Sequence, residues 1–168
     1  MAGKKEPAGP RGFVFIVILS VIHSLGSLAC ADAAAWLTPE MQACGMWRMT
    51  SRLSLAVFMV SAASMRFNKK LVKNLLEPIV PPPLPAQLCV MLSGILEGLG
   101  GILLLLPSME YWGGMLILAV LLAVFPANVY HAVSPTAQRL TRIGPPAVYF
   151  RLPIQVLFAY WARWHILY

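Results

Sequence analysis

Charge is what this sequence has least of. Only 11% of its 168 residues are Asp, Glu, Lys or Arg, against about 25% in a soluble domain. With 59% hydrophobic residues and a mean hydropathy of +0.73, that scarcity predicts a bilayer protein. A span consumes roughly 20 apolar residues, so several spans use up the chain and leave no separate soluble catalytic domain. Cysteine is scarce as well. Cys30, Cys44 and Cys89 are too few and too scattered for a disulfide scaffold, a CxxC redox pair or a zinc ribbon. HxxxH, HExxH and CxxC patterns are missing, which excludes the familiar metal motifs, and no nucleophile constellation is visible. None of Asn68, Asn74 or Asn128 starts a glycosylation sequon. Acidic residues number 6 against 13 Lys+Arg. In a soluble protein the surplus of +7 would suggest nucleic acid; in a bilayer protein it reads as an orientation signal and as contact with anionic lipid headgroups.

What is present is a series of apolar stretches, each long enough to cross a ~30 Å core. They run from Phe13 to Ala35, Trp47 to Met65, Ala86 to Leu106, Tyr111 to His131 and Ala147 to Leu167. The expectation is an all-α integral membrane bundle of five transmembrane helices. A basic tail (1–12) and an additional N-terminal helix (13–35) precede a four-helix core (47–168), which is interrupted by an amphipathic and proline-rich linker (67–85). Thr38-Pro39-Glu40 has a hydroxyl cap, a proline at the first position and an acid in the first turn, so the second helix is expected to begin there. With five spans, Lys4, Lys5, Arg11, Arg66, Lys69, Lys70, Lys73, Arg139, Arg142 and Arg151 fall on one side, and Arg48, Arg52 and Arg163 on the other. This bias of about ten to three places the N-terminus inside and the C-terminus outside. Two alternatives stay open at the N-terminus. Lys4/Lys5, the run to Ile22 and Ala29-Cys30-Ala31 also resemble a cleavable secretory signal, and Cys30 with Cys44 can bridge the first two helices in an oxidising compartment.

A few polar residues lie inside the apolar segments. Glu97 is near the middle of the third, where an acid costs about 2.5 to 3.5 kcal/mol on insertion scales, so it must face protein or water. Ser93, Glu97 and Gly101 recur at helical spacing beside a Gly94/Gly98 GxxxG. The acid is either a proton-relay or quinone contact, or a paired acid that fixes helix packing. His23, flanked by Ser20, Ser24 and Ser27, shares its depth and can pair with it, or can be satisfied by those hydroxyls. In the fourth segment Ala119, Ala123 and Ala127 form a small-residue seam, and Pro126 frees the carbonyl of Leu122. Asn128 follows, either to serve a freed backbone group or to line a binding notch, and His131 lies near the inner end. In the fifth, Arg151, Gln155, Ala159 and Arg163 form one stripe: the arginines can snorkel, Gln155 needs a partner across a helix interface, and Trp161, Trp164, Tyr160 and Tyr168 resemble an aromatic belt. His23, His131 and His165 lie at different depths, which disfavours a bis-histidine haem. In the linker, Leu71, Val72, Leu75 and Leu76 oppose Lys69, Lys70, Lys73 and Asn74, as in a short helix in the headgroup plane. The headgroup contacts are expected from Arg66, Lys69, Lys70 and Lys73. The run from Pro81 to Pro85 reads as a stiff re-entry spacer or as a ligand for a proline-recognition domain.

The segments Ile79-Val80-Pro81-Pro82-Pro83-Leu84-Pro85, Ser93-Gly94-Ile95-Leu96-Glu97-Gly98 with Gly100-Gly101, Ala123-Val124-Phe125-Pro126-Ala127-Asn128 and Arg151-Leu152-Pro153-Ile154-Gln155 together resemble the DoxX-like family of small membrane proteins over about residues 52 to 164. The resemblance implies a four-helix bundle with Glu97, Asn128, Arg151 and Gln155 as hallmark positions. It also implies relatives that serve as subunits in quinone-dependent oxidation or as partners in membrane complexes. Arg66-Phe67 stands where that family usually has His-Phe, and His131 where it is usually apolar. The function expected is therefore a non-catalytic accessory subunit of a larger membrane complex in an energy-transducing membrane, the mitochondrial inner membrane first and a bacterial-type plasma membrane second. Bound phospholipid, and no cofactor, is expected. The alternatives are a quinone-linked oxidoreductase subunit using Glu97, Asn128 and His23, and a membrane-protein assembly factor.

Overall fold

The computed structural model describes residues 40–167. The basic tail, the Phe13–Ala35 helix and its signal-peptide alternative, His23, the Cys30–Cys44 pairing and Tyr168 lie outside them. The described residues form six helices and no strand: α1 (Glu40–Met65), α2 (Lys69–Leu71), α3 (Ala86–Leu105), α4 (Glu110–Val133), α5 (Pro135–Thr141) and α6 (Pro145–Leu167).

Local chemistry sets most of the boundaries. After α1 the Asn68 side chain accepts from the N–H groups of Lys70 and Leu71, capping a single turn. That turn runs into a π-helical stretch (Val72–Leu76) and a 3-10 turn (Glu77–Ile79). The proline run then prevents any helix until Ala86. Leu106 is extended, Pro107–Met109 form a 3-10 turn, and α4 starts on Glu110, an acid at a helix N-terminus. The Ser134 hydroxyl caps α5, which ends on Arg142 in the left-handed conformation. The expected segments after residue 47 thus correspond to α1, α3, α4 and α6, and the expected Pro/Gly connector contains the extra short helix α5.

α1 packs on α3, α3 on α4 and α4 on α6, each pair antiparallel. The bundle therefore has a linker end (residues 66–86 and 134–145) and a hairpin end (residues 105–110). α6 meets α1 chiefly through side chains: Phe58 stacks on Phe158 with centroids 4.3 Å apart, and Trp161 follows at 5.8 Å from Phe158. Glycine sets the closest approaches. A Cβ on Gly113 would lie 2.7 Å from the Leu104 amide nitrogen and 2.9 Å from the Gly100 carbonyl oxygen, so α3 and α4 meet backbone to backbone.

Among the described residues two helical segments, Ala86–Leu105 and Pro107–Val133, are long and apolar enough to cross a membrane, with mean hydropathies of 2.1 and 2.0. By length and composition the described residues support two of the five expected spans, and Phe13–Ala35 lies outside them. α1 and α6 have the length, but Arg48, Arg52 and several hydroxyls in one, and Arg151, Gln155 and Arg163 in the other, dilute their apolar character.

The packing bears on three further expectations. Trp161 and Trp164 are buried rather than forming a belt; Trp161 belongs to the core cluster and reaches Ser51 of α1. Ala119 and Ala123 face outward; the buried face of α4 carries Gly113, Gly114, Ile117, Val120, Asn128 and His131 instead. In the linker, Val72 and Ile79 are buried against protein while Lys69, Lys70, Lys73 and Asn74 are exposed. Its amphipathic pattern is therefore used first for packing.

Candidate functional site: buried polar networks at the two ends of the bundle

At the linker end, Arg66 turns into the bundle. Its Nη2 donates to Glu97 Oε1 at 2.9 Å and its Nη1 donates to Glu97 Oε2, a bidentate pair that occupies both carboxylate oxygens. Glu97 is only 5% exposed. Gly94 makes the pairing possible: a Cβ there would lie 2.5 Å from Arg66 Cδ, so only a glycine lets the arginine stem cross α3. Arg66 is thus removed from the expected headgroup set, whereas Lys69, Lys70 and Lys73 remain exposed. Arg151, on α6, lies within electrostatic range of Arg66, Glu97 and His131. Beside Arg66, a small cleft between α1 and α3 is lined by Ala63, Phe67, Met91, Gly94 and Ile95.

One turn along α6 from Arg151, Gln155 satisfies the need for a cross-helix partner twice. Its Oε1 accepts from Asn128 Nδ2 at 2.5 Å, and its Nε2 donates to the Leu121 carbonyl at 2.6 Å. The two bonds bracket Pro126, around which α4 continues unbroken. The backbone oxygen served belongs to Leu121 rather than the expected Leu122, and the side chain serving it is Gln155 rather than Asn128. His131 is buried with its Nε2 2.9 Å from Thr141 Oγ1. Thr141 Oγ1 also lies 2.9 Å from the Ala137 carbonyl oxygen and 3.2 Å from that of Gln138. His131 Nδ1 is buried and without a hydrogen-bond partner among the described residues.

The hairpin end holds a second network, which the sequence reading did not assemble. Glu110 receives Arg48 Nε at 3.3 Å, Arg52 Nη1 at 3.4 Å and His165 Nδ1 at 2.7 Å. With a carboxylate on Nδ1, His165 Nε2 is the acceptor for the Ser51 hydroxyl at 3.3 Å, and Ser51 Oγ in turn accepts from Trp161 Nε1 at 2.7 Å. The order serine, imidazole, carboxylate matches that of a hydrolytic triad. Here it is sealed, because Ser51 is 0% and His165 2% exposed and the indole holds the serine oxygen. The available signal was a charge imbalance: Arg48 and Arg52, one turn apart in an apolar helix, require a counter-ion, and Glu110 is the acid at the same end.

The candidate residues therefore fall into two contiguous groups, Glu97 with Arg151 and Asn128 with Gln155, with His23 outside the described residues. Among the described residues no group of three His, Cys, Asp or Glu side chains is placed to hold a metal ion.

A family model described as a domain of unknown function, DUF8561, matches residues 55–166. The chain belongs to that family. No curated protein and no solved structure matches it. The match corrects the DoxX-like resemblance, since the proline, glycine and Arg-Leu-Pro-Ile-Gln segments that carried it fall inside the DUF8561 region and no DoxX family matches the chain. Such segments reflect what tight apolar hairpins need, close approaches and helix breaks, and so are not specific to one family. The quinone-linked and respiratory associations implied by that resemblance lose their basis with it.

Proposed function

We propose that this member of the DUF8561 family is an integral membrane protein in which α1, α3, α4, α6 and the Phe13–Ala35 segment cross the bilayer, and that it is a non-catalytic structural subunit of a larger membrane assembly. The observation that carries the reading is an inverted burial pattern. Large apolar side chains on all four long helices point outward, among them Val57, Leu92, Ile102, Leu122 and Val156, while Glu97, Glu110, Asn128, His131, Gln155 and His165 point inward. Water would penalise such a surface and hydrocarbon favours it. The distribution of cations supports an inside linker end: Lys69, Lys70, Lys73, Arg139 and Arg142 are exposed there, whereas Arg48 and Arg52 at the hairpin end are engaged by Glu110. The exposed lysines then contact anionic headgroups.

A passive role is supported by the state of the polar groups. Both oxygens of Glu97 are held by Arg66, and the Ser51–His165–Glu110 chain has no open face. The outward Ala119 and Ala123 on α4 offer a surface on which a helix of another subunit packs closely. The test is gentle solubilisation from the native membrane followed by mass spectrometry, with Glu97→Gln and a deletion of residues 13–36 alongside. Stoichiometric partners, a complex dispersed by the deletion, and turnover of the host membrane unaffected by Glu97→Gln are expected. Lost turnover in an intact complex would replace this reading with a redox subunit, and substoichiometric, transient partners with an assembly factor.

A further inference from the structure

The exposed charge of the linker end is nearly all of one sign. Residues 66–86 and 134–145 together hold one acid, Glu77, whereas Lys69, Lys70, Lys73, Arg139 and Arg142 are all exposed. Arg66 does not add to them, because Glu97 neutralises it. The five cations come from two distant parts of the sequence, and the fold makes them neighbours: α5 packs on the Val72–Leu76 and Glu77–Ile79 stretches, with Cα atoms within 8 Å. A Debye length is about 10 Å at 0.1 M salt, so both groups contribute to one positive potential. Both segments are also held with their cations outward. On α5, Ala137 and Thr141 are buried, and Gln138 Nε2 donates to the His131 and Ala132 carbonyls at 3.2 and 2.8 Å, which fastens the short helix to the end of α4. In the linker, Val72 and Ile79 are buried, and Asn68 caps the turn that carries Lys69 and Lys70.

Large apolar side chains stand among these cations. Phe67 is 73% and Leu140 61% exposed. Cations interleaved with exposed apolar groups suit a headgroup layer, in which the first meet phosphates and the second reach the acyl boundary; an aqueous anion would leave Phe67 and Leu140 in water. The level along the bundle agrees. α3 has 20 residues, a rise of about 30 Å that matches a hydrocarbon core, and the linker ends where α3 begins. We propose that the linker and α5 together form one cationic platform that selects anionic phospholipids in the leaflet around the linker end, with the α5 arginines acting jointly with the linker lysines, and with Phe67 and Leu140 seated among the headgroups. This rests on the membrane-spanning reading and adds to it a lipid class and a second basic segment.

The experiment is electron spin resonance on the full chain reconstituted in phosphatidylcholine vesicles, with trace spin-labelled phosphatidylglycerol or spin-labelled phosphatidylcholine reporting the lipid restricted at the protein surface. At low salt, phosphatidylglycerol is expected to be preferred about fivefold, the equivalent of one contact between a cation and an anionic headgroup. At about 1 M salt, where the Debye length is about 3 Å, the preference is expected to vanish. Lys69→Gln/Lys70→Gln/Lys73→Gln and Arg139→Gln/Arg142→Gln should each lower it, and the two sets combined should abolish it while the total amount of restricted lipid stays that of wild type. The proposal is overturned if wild type restricts both lipids equally, which would leave the cations to an acidic protein partner, or if the combined variant keeps the preference. It is also overturned if Arg139→Gln/Arg142→Gln behaves as wild type, which would confine the contact to the linker. Failure of the membrane reading has a different signature, since a chain that does not enter the bilayer restricts neither lipid.

Discussion

Arg66 is the last residue before the linker, and its guanidinium is the counter-charge of Glu97 inside the bundle. Truncating one member of a buried pair strands the other charge, at a cost of about 3–5 kcal/mol. Arg66→Met should therefore lower the unfolding midpoint of the chain in nanodiscs sharply, while Arg66→Met/Glu97→Met should recover most of the loss. Equal melting of the single and double variants would show that the pair does not carry the stability assigned to it. At the other end, Ser51→Ala removes the acceptor of Trp161 Nε1 and the donor to His165 Nε2. A cost of about 1–3 kcal/mol is expected. A fluorophosphonate probe should leave Ser51 unlabelled on the folded protein, since the hydroxyl is enclosed; labelling at that residue by peptide mapping would reassign the network to catalysis. At this scale the sequence was informative about need and silent about partner. A carboxylate in the middle of Ala86–Leu105 has to be enclosed, and Gln155 has to find a partner across an interface. That the enclosing cation is Arg66 could not be read, because residue spacing assigns Arg66 to the lysine-rich loop and only the gap at Gly94 lets it reach inward.

The helices themselves were largely legible, since apolar runs bounded by proline, glycine and charge delimit α1, α3, α4 and α6. Which face of each is buried was not. Helices that are apolar on nearly every side carry little amphipathic contrast, so the tryptophans of α6 were assigned to the wrong surroundings and the outward direction of the α4 alanine seam was not legible. Packing of glycine against backbone is what distinguishes the faces. Gly113→Ala forces a methyl group into the Leu104 backbone and should cost about 1–3 kcal/mol. Gly45→Ala meets nothing within 4 Å and should be neutral or stabilise α1 by up to about 1 kcal/mol. Denaturation midpoints of the two variants measured side by side check this contrast.

Among the described residues the acids and amides of the long helices are buried while many large apolar side chains are exposed, which makes topology the most direct test at this scale. Lys70→Cys, in the linker, and Ser108→Cys, in the α3–α4 turn, lie at opposite ends of the bundle. In sealed vesicles made from a chain with its native cysteines replaced, a membrane-impermeant maleimide should label one of the two from outside and the other only after the vesicles are opened. Labelling of both from one side would remove the four-helix crossing from the proposed function.

α1 is fastened at its two ends to different neighbours: to α3 through Glu97, and to α4 and α6 through Glu110, His165 and Trp161. Between those fastenings its boundary with α6 is closed by aromatic rings rather than by apposed backbones. Releasing either clasp converts a bar bolted at both ends into a door on one hinge. Glu110 is the point at which three of the four long helices meet.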